Sequence, residues 1–236
     1  MEKTIRSYED LLSMLDQKFR SPEQFWDPFY SDRERSVPFF KNAPDENLVS
    51  YYERNLIRAG KAMDLGCGPG RNSIYLAKQG FDVIGYDISN VAIEWARDRA
   101  NESMLNIEFE CKSVFEIDFL DQFDLVYDSG CLHHLLPHRR IQYINMIYQS
   151  LKSGGLFGIT CFRPGFGDQG GPVREMSDWD VYEEGTMNGG LAFTEEKIKY
   201  ILEPNFECIE FRAVEKPKNE ETFGVPFLWG SLWRKK

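Results

Sequence analysis

Histidine and cysteine are scarce, at three and five residues in a chain of 236, and neither set is spaced as a metal site. The cysteines (Cys67, Cys111, Cys131, Cys161, Cys208) are odd in number, scattered and never two residues apart. That pattern excludes a disulfide framework and a zinc knuckle, and it fits a reducing compartment. His133, His134 and His138 cluster around Pro137, but no fourth ligand for a tetrahedral site can be named, so no metal is expected. Positive charge is in deficit: 28 Lys and Arg face 38 Asp and Glu, giving a formal net charge of −10. The acidic excess reads as a solvated surface and argues against a broad basic footprint for nucleic acid or anionic lipid. No apolar run reaches the length of a membrane span, and Met1 to Arg20 mixes charge through its apolar positions, unlike a signal peptide. The expectation is a cytoplasmic protein with neither a membrane nor a nucleic-acid partner.

An apolar content of 42%, with 14% aromatic residues, suffices for one well-filled core and a modest appendage. Tyr8, Leu11, Leu12, Leu15 and Phe19 recur at steps of three and four, which predicts an amphipathic helix over Ser7 to Phe19. Phe25 to Pro44 carries Phe25, Trp26, Phe29, Tyr30, Phe39 and Phe40 among three prolines, which argues against a continuous helix there. A helical stretch from Asp45 to Arg58 then leads to Gly60. From Lys61 onward short apolar runs alternate with helical segments, the signature of a parallel sheet. Strands are expected at Ala62 to Leu65, Asp82 to Tyr86, Ile107 to Glu110, Phe123 to Tyr127 and Leu156 to Cys161. Helices are expected at Arg71 to Gln79, Asn90 to Asn101, His138 to Leu151 and Thr194 to Leu202, with Thr194 as an N-cap. Phe206 to Ala213 and Phe227 to Trp233 leave no room for a crossover helix, so they should pair antiparallel. The fold class is therefore α/β, a Rossmann-like doubly wound sheet of seven mostly parallel strands with one antiparallel member. Residues 1–60 form an N-terminal helical cap and 61–236 the main domain. Within it, 163–192 holds seven glycines and little periodicity, as a lid-like insertion does.

Ala62 to Asn72 runs from an apolar strand into a turn with Gly66, Gly68 and Gly70 at alternate positions, then into a helix. Glycines there admit positive φ and let a ligand approach the backbone. A dinucleotide fingerprint needs its third glycine one residue later, where Arg71 stands, and the phosphate loop fails because no Gly-Lys-Ser/Thr follows. Asp64, two residues before the turn, suits a cationic partner better than a pyrophosphate. Asp87 ends the second strand, the position from which a carboxylate accepts both ribose hydroxyls; Ser89 beside it is a candidate helix cap. Asp128, Ser129 and Gly130 lie at the carboxyl end of a central strand, where ligands bind in open α/β sheets.

On Asp64 to Gly70, Asp87, Phe123 to Gly130 and the Lys152 to Leu156 lead into strand five, the sequence resembles the class I S-adenosylmethionine-dependent methyltransferases. The resemblance extends over about Lys61 to Ile159. It implies a transferase with S-adenosylmethionine as cofactor. Gly66, Gly68 and Gly70 would pass the methionine part, with Asp64 and Cys67 in the same turn. Asp87 would hold the ribose beside Ile88, and Ser113 with Val114 would flank the adenine. The family often has an acidic residue where this chain has Ser113. Asp128, Ser129 and Gly130 complete the implied cofactor site, with Tyr30 over it. Tyr127 to Leu132, preceded by an aromatic, proline-punctuated N-terminal segment, looks most like the small-molecule group related to thiol and thiopurine methyltransferases. The resemblance thus implies a small-molecule methyl acceptor, a thiol or other soft nucleophile.

His133 and His134 directly follow the cofactor strand and are candidate general bases if the acceptor atom is oxygen or nitrogen; their ordinary role is to pack or hydrogen-bond at a helix start. Cys131 is either turned toward the methyl group or a small buried apolar residue. Single aromatics of Phe25 to Phe40 read as core, but as a group they suit a sulfonium, since aromatic faces attract a cation and exclude water. That segment and 163–192 are expected to close over bound ligand as a lid. The rival of another class is a cofactor-binding protein that does not catalyse.

Overall fold

The computed structural model describes residues 4–217 and 219–236. Its strands are β1 Lys61–Leu65, β2 Asp82–Asp87, β3 Glu108–Cys111, β4 Phe123–Ser129, β5 Leu151–Phe162, β6 Phe206–Ala213 and β7 Leu228–Lys235. They form one sheet in the order β3-β2-β1-β4-β5-β7-β6. β1 to β5 pair in parallel, while β7 runs antiparallel to both β5 and β6, so it is the single reversed member the sequence implies. The helices are α1 Tyr8–Asp16, α2 Glu23–Ser31, α3 Glu46–Glu53, α4 Arg71–Lys78, α5 Asn90–Glu102, α6 Pro137–Ser150, α7 Asp178–Glu184 and α8 Glu195–Leu202.

Strand periodicity sorts the core onto two faces. In β1, Met63 and Leu65 join one cluster with Val126, Phe157 and the α6 residues Tyr143 and Ile147. Ala62 joins the other with Leu125, Leu76 of α4, and Leu48 and Tyr51 of α3. Both faces are thereby covered, as a parallel sheet requires. Leu48, Tyr51 and Ile57 share that second cluster with strand residues, so part of the N-terminal sixty residues belongs to the sheet core. Strand order reverses between β1 and β4, which leaves a crevice at the carboxyl ends of those strands.

Three segments add to or depart from the sequence expectations, each for a local reason. No continuous helix spans Phe25 to Pro44, as its prolines imply, but α2 runs through Pro28 before it ends at Ser31. Proline lacks the N–H that would bond the Gln24 carbonyl; the Arg20 guanidinium donates to that oxygen instead, at 2.5 Å. β5 begins at Leu151 rather than Leu156, with a register shift opposite Phe123 to Leu125 that absorbs the Ser153-Gly154-Gly155 turn. The segment 163–192 holds α7, started by a capping box in which Ser177 and Asp180 bond each other's backbone N–H.

Candidate functional site

A cavity of about 350 Å³ opens at the carboxyl ends of β1, β2, β4 and β5. Its floor is the turn after β1, where Gly66, Gly68 and Gly70 all have left-handed φ, at 63°, 52° and 77°. All three positions have steric reasons as well, and a Cβ on Gly66 would stand 3.0 Å from the Cβ of Cys131. A Cβ on Gly68 would stand 3.0 Å from the Tyr30 hydroxyl oxygen, and one on Gly70 would press the α5 residue Ala96 and Phe109 at 3.0 and 3.1 Å. Gly70 serves that close approach and the start of α4; it does not line the cavity, whereas Gly66, Cys67 and Gly68 do.

Two carboxylates flank the turn. Asp64 is buried; its Oδ2 accepts from Ser73 at 2.6 Å, and Oδ1 has no partner among the described residues. Burial pushes its pKa up to about 7. Asp87 accepts from the Gly68 N–H through Oδ2 and from the Ser89 N–H through Oδ1, each at 2.9 Å. Burial raises its pKa to about 6, against the lowering effect of those backbone donors. Ser89 is the N-cap of α5 and also donates to Asp27 of α2 at 2.6 Å. Ile88, Ser113 and Val114 continue the wall away from Asp87, with Ser113 capping its own short turn by accepting from Phe115 N–H. Tyr30 hangs over Gly68 with its hydroxyl unbonded among the described residues, and burial raises its pKa well above the usual phenol value.

Asp128 is placed differently from the other candidates. It does not line the cavity. Its oxygens accept from the N–H groups of Cys131 and Leu132 and from the Tyr143 hydroxyl, so it ties the turn after β4 to α6. Ser129 and Gly130, the next residues, do line the cavity.

Beyond them the wall turns aromatic. His133 stacks on Phe162 with centroids 3.7 Å apart and planes at 11°, and His134 meets Trp26 edge-on at 4.8 Å. His133 is buried with Nδ1 unpartnered, and neither imidazole makes a side-chain hydrogen bond among the described residues. Burial lowers both pKa values, that of His134 to about 4, so both rings are uncharged near neutral pH. Cys131 also lines the cavity, and burial raises its thiol pKa, which keeps it protonated. Among the described residues no three metal-capable side chains cluster.

Several lining residues escape sequence reasoning. Arg71, singled out only as the residue that breaks the dinucleotide spacing, forms a buried ion pair with Asp45 at 2.5 Å and donates to Ser129 at 2.7 Å. Thr160 in turn donates to Ser129 at 3.2 Å. Phe223, which the Arg71 guanidinium covers at 4.6 Å, and Phe227 arrive from the segment before β7. The adjacency of Arg71 to the glycine turn was a readable signal, but nothing in the sequence marks Asp45 or Phe223.

Residues 62–155 match the family described as a methyltransferase domain. An uncharacterized methyltransferase of Schizosaccharomyces pombe is 39% identical over 87 residues, which cover 35% of this chain and 60% of that protein. A carboxy-S-adenosyl-L-methionine synthase of Nautilia profundicola is 30% identical over 148 residues, 61% of each. The chain thus spans about 60% of the length of these curated relatives. Among solved structures, the Burkholderia thailandensis 1,6-didemethyltoxoflavin-N1-methyltransferase, with 1,6-didemethyltoxoflavin and S-adenosylhomocysteine bound, superposes with a TM-score of 0.65 at 23% identity, covering 100% of this chain and 93% of that one. The fold is the Rossmann-like fold of such methyltransferases.

Proposed function

We infer, from a methyltransferase domain over residues 62–155 in a fold shared with methyltransferases, that this chain binds S-adenosylmethionine and transfers its methyl group to a small molecule. The observation that carries the reading is the left-handed glycine turn between two buried carboxylates that both line the cavity. The site fits the cofactor on its own geometry. Asp64 keeps a buried, unpartnered oxygen suited to a cationic ammonium. Asp87 has carboxylate lone pairs left for ribose hydroxyls after its two backbone bonds. Ile88 and Val114 offer apolar contact to a flat base, and Gly66 and Gly68 leave backbone without side chains facing the cavity beneath Cys131 and Tyr30.

When bound, the cofactor supplies the electrophilic methyl, and little covalent help is needed from the protein. This chain's residues align and exclude water. Tyr30 and Trp26 close one wall, and Ser129, held by Arg71 and Thr160, closes the floor between the two halves of the cavity. Neither imidazole is bonded to a carboxylate that would stabilise its protonated form, which favours a soft nucleophile, sulfur or an unprotonated nitrogen, over an alcohol that must be deprotonated. A turnover screen with methyl-labelled S-adenosylmethionine across thiols, heteroaromatics, amines, phenols and carboxylates tests the reading, with methylated product as readout. Saturable cofactor binding with no methylated product from any group would favour the non-catalytic reading instead.

A further inference from the structure

Resting on that reading, we propose that the β4 to β7 half of the cavity takes a flat heteroaromatic acceptor, its ring faces against Trp26, Phe162 and Phe227 and its in-plane polar edge against His133 and His134. Charge is divided sharply across the cavity. Among the described lining residues the acids Asp64 and Asp87 and the guanidinium of Arg71 all stand on the β1 and β2 side; from Ser129 to Leu228 the ionisable side chains are Cys131, held protonated, and the uncharged His133 and His134. A cationic amine therefore finds no counter-ion there, and an aliphatic carboxylate finds no free cation, since Arg71 is already paired with Asp45.

What that half offers is aromatic surface with unspent neutral hydrogen-bonding atoms. His133 is buried with an unpartnered Nδ1. His134 is half-buried and its ring nitrogens make no side-chain hydrogen bond among the described residues, while its ring is fixed edge-on to both Trp26 and His133, at 4.8 and 4.4 Å. A polar group left buried without a partner is costly unless a ligand supplies one. A simple alkyl thiol has too few polar atoms to do so. A nitrogen heterocycle carries donors and acceptors in its plane and apolar faces above and below, and aromatic pairs gain from offset or edge contacts. Gly190 of the insertion seals this arrangement. Its φ is 148°, and a Cβ there would meet the Phe162 ring at 2.7 Å and His134 at 3.3 Å.

The transfer balances without a protein base. The acceptor's lone pair forms the new bond to the methyl carbon as the carbon–sulfur pair returns to sulfur; an acceptor that enters neutral takes over the sulfonium's positive charge and then releases its ring N–H or S–H proton to water, and one that enters as its anion leaves neutral. Imidazoles held uncharged by burial are consistent with a site that takes up no proton.

Calorimetry on the full chain, saturated with S-adenosylhomocysteine, tests the proposal with lumazine and 2-mercaptopyridine as flat heteroaromatic probes against butanethiol, butylamine and 4-nitrophenol. The expected result is that at least one heteroaromatic binds tenfold or more tightly than every other probe. His134→Leu should weaken that probe about tenfold while S-adenosylhomocysteine affinity stays within twofold; His134→Asn, which keeps a polar edge, should lose less and serves if the leucine variant does not fold. Equal or tighter binding of butanethiol, butylamine or 4-nitrophenol overturns the proposal, as does failure of both heteroaromatics to bind at millimolar concentration or indifference to the His134 substitutions. Absence of S-adenosylhomocysteine binding to the unmodified chain would instead strike the methyltransferase reading beneath it.

Discussion

The β1 to β3 side of the cavity comes from the stretch Asp64 to Val114 with Tyr30 laid over it, and holds the Asp and Arg side chains among the described lining residues; the β4 to β7 side gathers Ser129, His134, Phe162 and Phe227 from separate segments, takes Trp26 from the N-terminus and holds no Asp, Glu, Lys or Arg among them. On the first side, function is written into local backbone: a turn needing three left-handed glycines and strand ends that fix each carboxylate. On the second, the wall exists only after β5, the insertion and the segment before β7 have assembled. Such a division suits a constant ligand on one side and a variable one on the other.

The seam between the halves is the place where the comparison breaks most severely. Asp45→Ala leaves the Arg71 guanidinium buried without its partner beside Ser129, and removing one member of a buried pair costs about 3–5 kcal/mol. Urea unfolding should report that loss, and a change under about 1 kcal/mol would mean that the two halves are not joined through this pair. The analogous loss at the exposed pair Arg174 and Glu184 should stay below about 1 kcal/mol.

A smaller effect separates the halves by pH. Asp64 has its pKa raised to about 7. The ligand-free folded chain therefore holds this proton more tightly than the unfolded chain, and the associated stabilisation, full at acid pH, is lost as pH rises through about 7. A cationic ligand binds the ionised carboxylate, so S-adenosylhomocysteine affinity should increase about tenfold between pH 6 and 8, and Asp64→Asn should flatten that profile. A profile already flat in the unmodified chain would place the ligand's ammonium away from Asp64.

The smallest effect belongs to the aromatic side. His133→Gln should keep kcat within about tenfold, less than removal of a general base entails. A thousandfold loss with S-adenosylhomocysteine affinity intact would give His133 the proton-transfer role that its burial argues against.

What was legible in the sequence follows the same division. Every strand was readable, the sixth to the residue at Phe206–Ala213, because central strands buried on both faces, such as Lys61–Leu65 and Asp82–Asp87, write themselves into short apolar runs. The glycine turn, Asp87 and the Thr194 cap were readable because each is a local backbone requirement. Asp128 was correctly placed at a strand end, but its oxygens face the next turn rather than the cavity, and strand position alone does not tell which way a carboxylate is spent. Asp45, Phe223 and Phe227 were not readable at all, since their roles arise from contacts such as the bridge between Asp45 and Phe223. The α7 helix was missed among glycines although its Ser177 and Asp180 capping pair stood in plain order.

Titration of S-adenosylhomocysteine into the unmodified chain and into Asp87→Ala tests the central claim most directly. Hydrogen bonds to a charged group contribute about 1.5–3 kcal/mol, so the account predicts saturable one-to-one binding that weakens about ten- to a hundredfold in the folded variant. Equal affinity in the two proteins, or no binding to the unmodified chain, would contradict it.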